Sequence, residues 1–240
     1  MEEKKKKKKA KVDGGRVWMF IITMWIHQGF TYLDRTEMFY RVIWELIPLG
    51  LFYSLFYLVF GWGWLWSLFF AFIIGHTLNF LFNYNFWTGV DFTFPSFRNP
   101  GNEKSLEYLR QMQSRMNCYD CISGCMLYGS LSRAVWGVKS DLDVRIFRKP
   151  GLWNGFKAYW VTFTERLIAV RQVNPMDMYL ADDVDFLKKL RSDEQPIFLK
   201  ATDQRLKNFY RSVKTVNFDE VRHMNEMGIK VEDLKESIYR

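Results

Sequence analysis

The sequence predicts an α+β protein in which a small mixed-sheet domain with flanking helices follows a helical hairpin long enough to cross a membrane. Three observations lead to this fold class. The 45 residues from Leu46 to Val90 carry no charged side chain. Aromatic residues make up 18% of the chain and concentrate in its first hundred positions. Residues 103–200, by contrast, have an ordinary composition in which helical and strand patterns alternate.

Residues 1–16 are expected to form a disordered basic tail, because a run of lysines cannot bury a core. They carry eight basic and three acidic side chains, and Lys4–Lys9 are consecutive. Two interpretations stay open: a solvated tail that only sets topology, or a segment attracted to anionic lipids. Both place the tail in the cytoplasm. Since only +3 of the net charge of +8 lies outside it, we do not expect long nucleic acid as a partner.

Residues 17–90 are predicted to be a membrane region. One crossing needs about 20 apolar residues, so the uncharged run accommodates transmembrane helices at about 43–60 and 64–82. The turn between them is Gly61-Trp62-Gly63, where glycine tolerates the required backbone angles. The alternative, a buried hairpin in a soluble protein, would leave too few other residues to cover this much apolar surface.

The stretch 17–33 is uncharged but short, and polar side chains interrupt it. We expect an in-plane or re-entrant helix, because a third crossing would put the lysine tail and the C-terminal domain on opposite sides. His27 and His76 are isolated on apolar segments. Each is interpreted as a hydrogen-bonded packing residue rather than a ligand.

The remaining chain divides into a linker, the domain and an extension. Residues 91–102 contain two prolines and form the predicted linker, residues 103–200 the domain, and residues 201–240 a C-terminal helical extension. Glu103–Asn117 is predicted as a helix and Ile122–Tyr128 as a strand. The three cysteines, at positions 118, 121 and 125, are interpreted as a helix end followed by a buried strand, since a zinc site normally needs four ligands.

The most informative stretch begins at Gly129-Ser130 and ends, after ten intervening residues, at Asp141-Leu142-Asp143. It predicts a strand, a turn, a short helix and a second strand. Glycine lets the backbone approach a ligand closely, and the N-terminus of the helix would offer N–H groups to phosphate oxygens. Asp141 and Asp143 are two positions apart on the predicted strand, so both face one side and can share a divalent cation.

A third carboxylate is expected from a neighbouring strand. After a predicted helix at Trp153–Val170, the apolar run Pro175–Leu180 contains a single acid, Asp177. An acid there is costly to bury unless it is paired or metal-bound, so replacing it should leave stability unchanged or slightly raised. Asp177 is therefore preferred over Asp182, Asp183 and Asp185, which are interpreted as loop or helix-cap residues.

This arrangement resembles the minimal nucleotidyltransferases of the DNA-polymerase-β-like superfamily. Their pattern is Gly-Ser-x-Ala-Arg-Gly, then Ser-Asp-x-Asp, then a distant third acid on a strand. Arg133 and Ser140 match it, whereas Ser132 stands where alanine is usual and Ala134 where glycine is usual. The resemblance covers roughly residues 104–200 and leaves the membrane region unexplained.

The resemblance implies two-metal nucleotidyl transfer from a nucleoside triphosphate. Asp141, Asp143 and Asp177 would be the catalytic residues and would hold Mg²⁺, with Mn²⁺ as an alternative. The nucleotide-binding residues would be Gly129, Ser130, Arg133, Lys139 and Ser140. The enzyme would be integral to the cell membrane with its domain on the cytoplasmic side, acting near lipids on a membrane-associated acceptor: a lipid-linked or envelope glycan precursor, or a protein.

Two other functions remain open at this point. The domain would be a regulatory module if it binds nucleotide without turnover. A sugar-nucleotide-dependent glycosyltransferase also uses an Asp-x-Asp pair, but it needs a nucleotide-binding unit ahead of the acids. Only about forty residues of the predicted domain precede Asp141, which are too few for such a unit.

Overall fold

The computed structural model describes residues 14–30, 33–83, 102–136, 140–190, 195–210 and 226. Over these ranges the protein is α+β, with helices placed before, between and after the strands of one mixed sheet. The helices are α1 (Gly14–His27), α2 (Arg35–Ser54), α3 (Trp64–Asn83), α4 (Asn102–Cys118), α5 (Leu152–Arg171) and α6 (Gln204–Phe209). The strands are β1 (Ile122–Tyr128), β2 (Leu142–Arg148), β3 (Met176–Ala181) and β4 (Ile197–Ala201).

Helices α2 and α3 pack side by side. A π-helical turn, Leu55–Val59, extends α2, and Gly61 has a positive φ of 67° in the short connection to α3. The two backbones come close at Gly75, where an added Cβ would lie 3.2 Å from the backbone nitrogen of Leu49. Within the described chain, Arg35–Val59 and Trp64–Asn83 are the two helices long and apolar enough to cross a membrane.

The sheet has the strand order β3-β2-β1-β4. Strand β1 is antiparallel to both of its neighbours, whereas β2 and β3 are parallel and are joined through α5. Side chains alternate between the two faces of the sheet. One face, including Val144 and Met178, packs against α4 and α5 in the larger core. The opposite face, which carries Asp143 and Asp177 among apolar neighbours, is packed in part against Leu33 and Phe186.

Helix α2 is bonded to the outer edge of the sheet. Glu37 is fully buried, and its carboxylate accepts hydrogen bonds from Arg41 (2.6 Å), Arg166 of α5 (2.5 Å) and the backbone nitrogen of Leu180 (2.7 Å). Arg166 also donates to the carbonyl of Met178. Since β3 is an edge strand, these side chains satisfy backbone groups that would otherwise face outward without partners.

A second network of hydrogen-bonded polar side chains runs along the packed helices. His76 bonds Glu45 (2.7 Å) and the carbonyl oxygen of Trp25 (2.9 Å), so its interpretation as a hydrogen-bonded packing residue is confirmed. Asn79 donates to the same glutamate, and Asn83 donates to Asn79. Together these bonds give partners to polar groups within an otherwise apolar pair of helices.

Several predicted elements are confirmed and others need correction. The predicted bounds of β1 are confirmed, and those of α4 and α5 hold to within one residue at each end. The helix predicted at 43–60 begins at Arg35 instead, because Glu37 and Arg41 in its first two turns are buried against the domain, while Arg35 itself is exposed. The helix predicted at 17–33 spans Gly14–His27 instead, so it ends earlier than expected and includes the last three residues of the predicted disordered tail. Most of the tail, of the linker and of the C-terminal extension lies outside the described residues.

The cysteines lie where the sequence placed them. Cys118 ends α4 and is exposed, whereas Cys121 and Cys125 are buried beside and within β1. Burial raises the pKa of the Cys121 and Cys125 thiols, which makes both poor nucleophiles. All three are free thiols.

Candidate active site

The end of β1 lies against the first acid of β2. Gly129 directly follows β1 and has a φ of +78°. A Cβ added there would lie 1.8 Å from Oδ2 of Asp143, which is far inside van der Waals contact. Tyr128 pairs with Asp143 across the antiparallel ladder. Glycine is therefore required at position 129 both for its backbone angle and for the space occupied by the carboxylate.

Asp143 and Asp177 are neighbours across the two parallel strands. They are paired in register in the β2–β3 ladder, so their side chains point to the same face. Arg145, two positions further along β2, also lies on this face. Its Nη2 is 3.2 Å from Oδ2 of Asp177 and 3.7 Å from Oδ1 of Asp143. The two carboxylates thus converge on one cationic group.

Arg145 is a site residue that the sequence analysis missed. It is 9% exposed, its guanidinium lies 4.7 Å from the ring centroid of Tyr179, and it donates to the backbone carbonyl of Asp177. Its Nε is buried without a hydrogen-bond partner in the described structure. The alternation along β2 could have identified it, because Asp143 and Arg145 are two positions apart and must share a face.

The segment after Gly129 is a hydrogen-bonded turn rather than the short helix predicted from the sequence. The backbone nitrogens of Arg133 and Val135 donate to the carbonyls of Gly129 and Ser130, respectively. Ala134 has a φ of +53°, which is incompatible with continuing a right-handed helix. The expected row of helical N–H groups is therefore replaced by a compact turn.

Ser130 lies in this turn, and its Oγ is buried with no hydrogen-bond partner in the described part of the chain. The Ser132 hydroxyl, in contrast, donates to the carbonyl of Gly129 at 3.0 Å. A buried hydroxyl without a partner is a group that a bound ligand can satisfy. The turn therefore offers one unused polar group next to the acids.

The other predicted site residues differ in how closely they approach the cluster of Asp143, Asp177 and Arg145, which is called the acidic centre. Asp141 and Ser140 immediately precede β2, so the acidic pair straddles the start of the strand instead of opening it. Arg133 is partly buried in the turn. Lys139 lies outside the described residues. Within the part of the chain that the structure describes, no three His, Cys, Asp or Glu side chains are grouped closely enough to hold a metal ion.

The residue types at this centre fit a hard divalent cation. Carboxylate oxygens are the ligands that Mg²⁺ prefers, and Asp143 and Asp177 converge on a single point. In this structure the Nη2 atom of Arg145 stands at that point. A cation held by both acids would take over the neutralising role of the guanidinium.

The three acids that the sequence assigned to loops or caps lie away from this centre. Asp183 accepts a hydrogen bond from Val184 and caps the 3₁₀ turn Val184–Lys189, so its interpretation as a cap is confirmed. Asp185 is exposed and pairs with Lys188 at 2.6 Å. Asp182 has a structural role, described next.

Asp182 joins β3 to the start of α2. Its carboxylate accepts from the backbone nitrogen of Thr36 (3.0 Å) and from Arg148 Nε (2.6 Å), while its own backbone nitrogen donates to Asp34. Burial alone would raise the pKa of Asp182, but these hydrogen bonds outweigh it and hold the pKa below its usual value. The strand that carries Asp177 is thereby fixed to α2.

Comparison with models of protein families and with curated protein sequences gives no match for this chain. Its function must therefore be argued from the geometry of the site itself.

Proposed function

We propose that the protein is a membrane-anchored, Mg²⁺-dependent nucleotidyltransferase that moves a nucleoside monophosphate from a triphosphate to a membrane-associated acceptor. The observation that carries the proposal is the meeting of three sequence features at one point. Gly129 abuts the carboxylate of Asp143, and Asp143 is in register with Asp177 on the adjacent parallel strand. These positions are 14 and 34 residues apart in the chain.

The spacing of the motif adds support, because its resemblance to nucleotidyltransferases of the polymerase-β-like superfamily predicted which residues would meet. A Gly-Ser turn at the end of one strand and acids on the next two strands suit a triphosphate held between the turn and a cation. The unpartnered Ser130 hydroxyl supports phosphate binding at the turn. The mixed α+β sheet provides the rigid base on which such a site depends.

Each residue has a distinct role in the proposed reaction. Asp141 and Asp143 would hold the divalent cation that binds the triphosphate, and Asp177 accepts the proton of the acceptor hydroxyl. The Gly129-Ser130 turn orients the β- and γ-phosphates. When bound, the cation neutralises charge on the attacking and leaving oxygens. The acceptor oxygen forms a bond to the α-phosphorus as the bond to pyrophosphate breaks, and the chain itself is not modified.

Membrane anchorage is supported by the surface of α2 and α3. From Met38 to Phe60 the exposed positions of α2 and its π-helical extension are uncharged, because Glu37 and Arg41 are turned into the domain and buried. The exposed positions of α3 are likewise apolar. A soluble helix would present a polar face to water at these positions. Tethering the domain beside its acceptor raises the local acceptor concentration.

A second candidate function is a nucleotide-binding regulatory module without turnover. One observation favours it: Arg145 already neutralises Asp143 and Asp177, and no group of three acids forms within the described ranges. In such a module the guanidinium would contact the nucleotide directly. The two functions differ in whether a covalent product forms.

The deciding experiment incubates the purified full-length protein with native membranes, Mg²⁺ and each of four α-³²P-labelled triphosphates. We expect one triphosphate to label a lipid-linked or protein component, and the Asp141→Asn, Asp143→Asn double variant to lose Mg²⁺-linked triphosphate binding. Asp185→Asn, which removes an exposed acid from the 3₁₀ turn, serves as the matched control. Nucleotide binding without any labelled product would favour the regulatory module, and unchanged binding in the double variant would contradict the Mg²⁺-dependent enzyme while leaving the module, in which Arg145 contacts the nucleotide.

A further inference from the structure

Helix α5, Leu152–Arg171, is apolar on both of its sides. Its inner side contributes Ala158, Tyr159 and Val161 to the core beneath the sheet. Its outer side is exposed and should therefore be polar in a soluble protein. The exposed residues of α5 are instead six apolar and two basic ones: Leu152, Trp153, Phe156, Lys157, Trp160, Leu167, Val170 and Arg171.

The exposed aromatic residues form one stripe. Trp153, Phe156 and Trp160 are spaced by three and four positions, which places them on a single face of the helix. Trp153 stacks on Phe156 with ring centroids 5.2 Å apart, and the Lys157 ammonium lies 5.6 Å from the Trp153 ring. Trp153 and Trp160 are 65% and 52% exposed, so this stripe is open to its surroundings.

The stripe is continuous with the apolar surfaces of α2 and α3. Phe163 of α5 lies 4.7 Å from Trp44 of α2 and 6.3 Å from Phe82 of α3, measured between ring centroids. Tyr40 of α2 contacts Phe156 in the same way at 6.0 Å. No polar layer therefore separates the outer face of α5 from the faces proposed to meet lipid.

The contacts also fix the level of α5 along the paired helices. At 1.5 Å per residue, Tyr40 and Trp44 lie roughly 8 and 14 Å from the first residue of α2, and Phe82 lies one position from the end of α3. Helix α5 thus meets α2 and α3 near the end that joins the domain. This is the level at which a bilayer surface would lie if α2 and α3 cross it.

We propose that α5 is an interfacial helix, whose outer stripe inserts into the headgroup region of the leaflet that α2 and α3 enter. Trp and Phe, which are enriched at the membrane interface, provide the inserted surface, and Lys157 and Arg171 face anionic headgroups. The proposal rests on the membrane anchorage proposed above. It adds that the catalytic domain lies directly on the bilayer and is oriented by it, with the sheet face of Asp143 and Asp177 opposite to α5.

The test uses spin labels on the full-length protein in vesicles of phosphatidylcholine and phosphatidylglycerol. Cysteines replace exposed residues in a Cys118→Ser background, in which the two remaining native cysteines are buried. Phe156→Cys and Trp160→Cys report on α5, Leu51→Cys on the middle of the hairpin, and Lys207→Cys on the opposite side of the domain. Thermal unfolding of each variant confirms that the fold is retained.

We expect oxygen accessibility relative to a water-soluble nickel complex to be several-fold higher at positions 156 and 160 than at 207, and highest at 51. High values at 51 with water-like values at 156 and 160 would overturn the interfacial helix while leaving the anchor intact. Water-like values at all positions would overturn the anchor itself. Shielding of 156 and 160 from both reagents, with dipolar broadening between copies, would assign the stripe to a second copy of the chain.

Discussion

At the scale of single residues, the sequence pattern and the fold agree on why glycine stands at position 129. The Gly129→Ala variant would place a methyl group into the carboxylate of Asp143 and would force a φ of +78° on a residue with a Cβ. We expect Mg²⁺-linked triphosphate affinity to fall about tenfold or more, equivalent to at least roughly 1.4 kcal/mol, because Asp143 must move. Binding measured by calorimetry at fixed Mg²⁺ checks this.

Gly151→Ala is the matched control for that variant. Gly151 also has a positive φ, of 106°, but an added Cβ would meet only the Asn154 side chain at 3.7 Å. Both variants should lose about 1–3 kcal/mol of stability through backbone strain. If the two variants bind triphosphate equally well, the contact between Gly129 and Asp143 has no role in nucleotide binding.

In the proposed reaction Asp177 separates catalysis from binding, and the structure reverses one expectation about its effect on stability. Considered as an isolated acid in an apolar strand, its replacement by asparagine should be neutral or slightly stabilising. Its side chain is in fact partly exposed and paired with Arg145 at 3.2 Å, so the variant leaves a buried guanidinium with a weaker partner. We now expect a small loss of stability.

For activity, we expect Asp177→Asn to keep near-normal triphosphate affinity and to lose roughly 10² or more in turnover, the scale of losing a proton-transfer group. Single-turnover transfer and equilibrium binding, measured on the same preparation beside Asp185→Asn, distinguish the two effects. Transfer at the unmodified rate would show that Asp177 does not take the proton from the acceptor.

At the scale of elements, the link between α2 and β3 depends on one fully buried carboxylate. Glu37→Gln removes the negative charge between Arg41 and Arg166, leaving two buried guanidinium groups without their counter-charge. Breaking a buried pair in this way costs about 3–5 kcal/mol. We expect a correspondingly lower unfolding temperature in detergent micelles.

Glu107→Gln is the control for this prediction, because Glu107 is also paired with an arginine but on the exposed surface of α4, at 3.5 Å. Its loss should change stability by less than about 1 kcal/mol. Equal effects of the two variants would mean that the buried cluster around Glu37 does not hold α2 to the sheet.

The contact of Asp182 with Thr36 and Arg148 also links β3 to α2, and it predicts that the free energy of unfolding depends on pH. Its folded pKa lies below the ordinary value of about 3.9, so its contribution to stability is present above that value and is lost as the pH falls through the folded pKa. Asp182→Asn should therefore lower the free energy of unfolding at pH 7 by on the order of 1 kcal/mol, since solvent screens this partly buried pair.

Denaturant unfolding in micelles at pH 7, 5 and 3.5 measures this difference between the protein and the Asp182→Asn variant. The difference in the free energy of unfolding should have the same value at pH 7 and pH 5, and it should be smaller at pH 3.5. Asp120→Asn, at an exposed position in the turn between α4 and β1, provides the control for general acid effects. A difference that grows towards low pH would contradict the direction assigned to the pKa.

At the scale of the whole molecule, the start of α2 and the end of α3 both contact the domain, whereas the Gly61–Gly63 connection lies at the far end. We therefore expect two crossings, with the N-terminal tail and the domain on the cytoplasmic side. In intact cells, a membrane-impermeant maleimide should label Trp62→Cys but not Lys207→Cys or Ala10→Cys. Labelling of only one of the two cytoplasmic positions would require an odd number of crossings.

The sequence by itself determined the local features of this protein. Hydrophobic period, chain length and glycine placement predicted α3, α4, α5 and the strands that carry Asp143 and Asp177, because these depend on neighbouring residues along the chain. The ten-residue spacing from the Gly-Ser turn predicted which acids would lie beside it. Strand β4 and the 3₁₀ turn were not foreseen, since their short apolar segments carry no distinctive period.

The tertiary structure decided how charges and surfaces are paired. The sequence predicted a membrane helix from about residue 43, close to the start of the uncharged run, whereas the fold buries Glu37 and Arg41 and so extends α2 back to Arg35. Two further features likewise depend on which segments meet in space. One is the position of Arg145 between the two acids, and the other is the apolar outer face of α5. A charge or an aromatic ring acquires its role from its partner, and residues far apart in the chain become partners only when the sheet and helices pack.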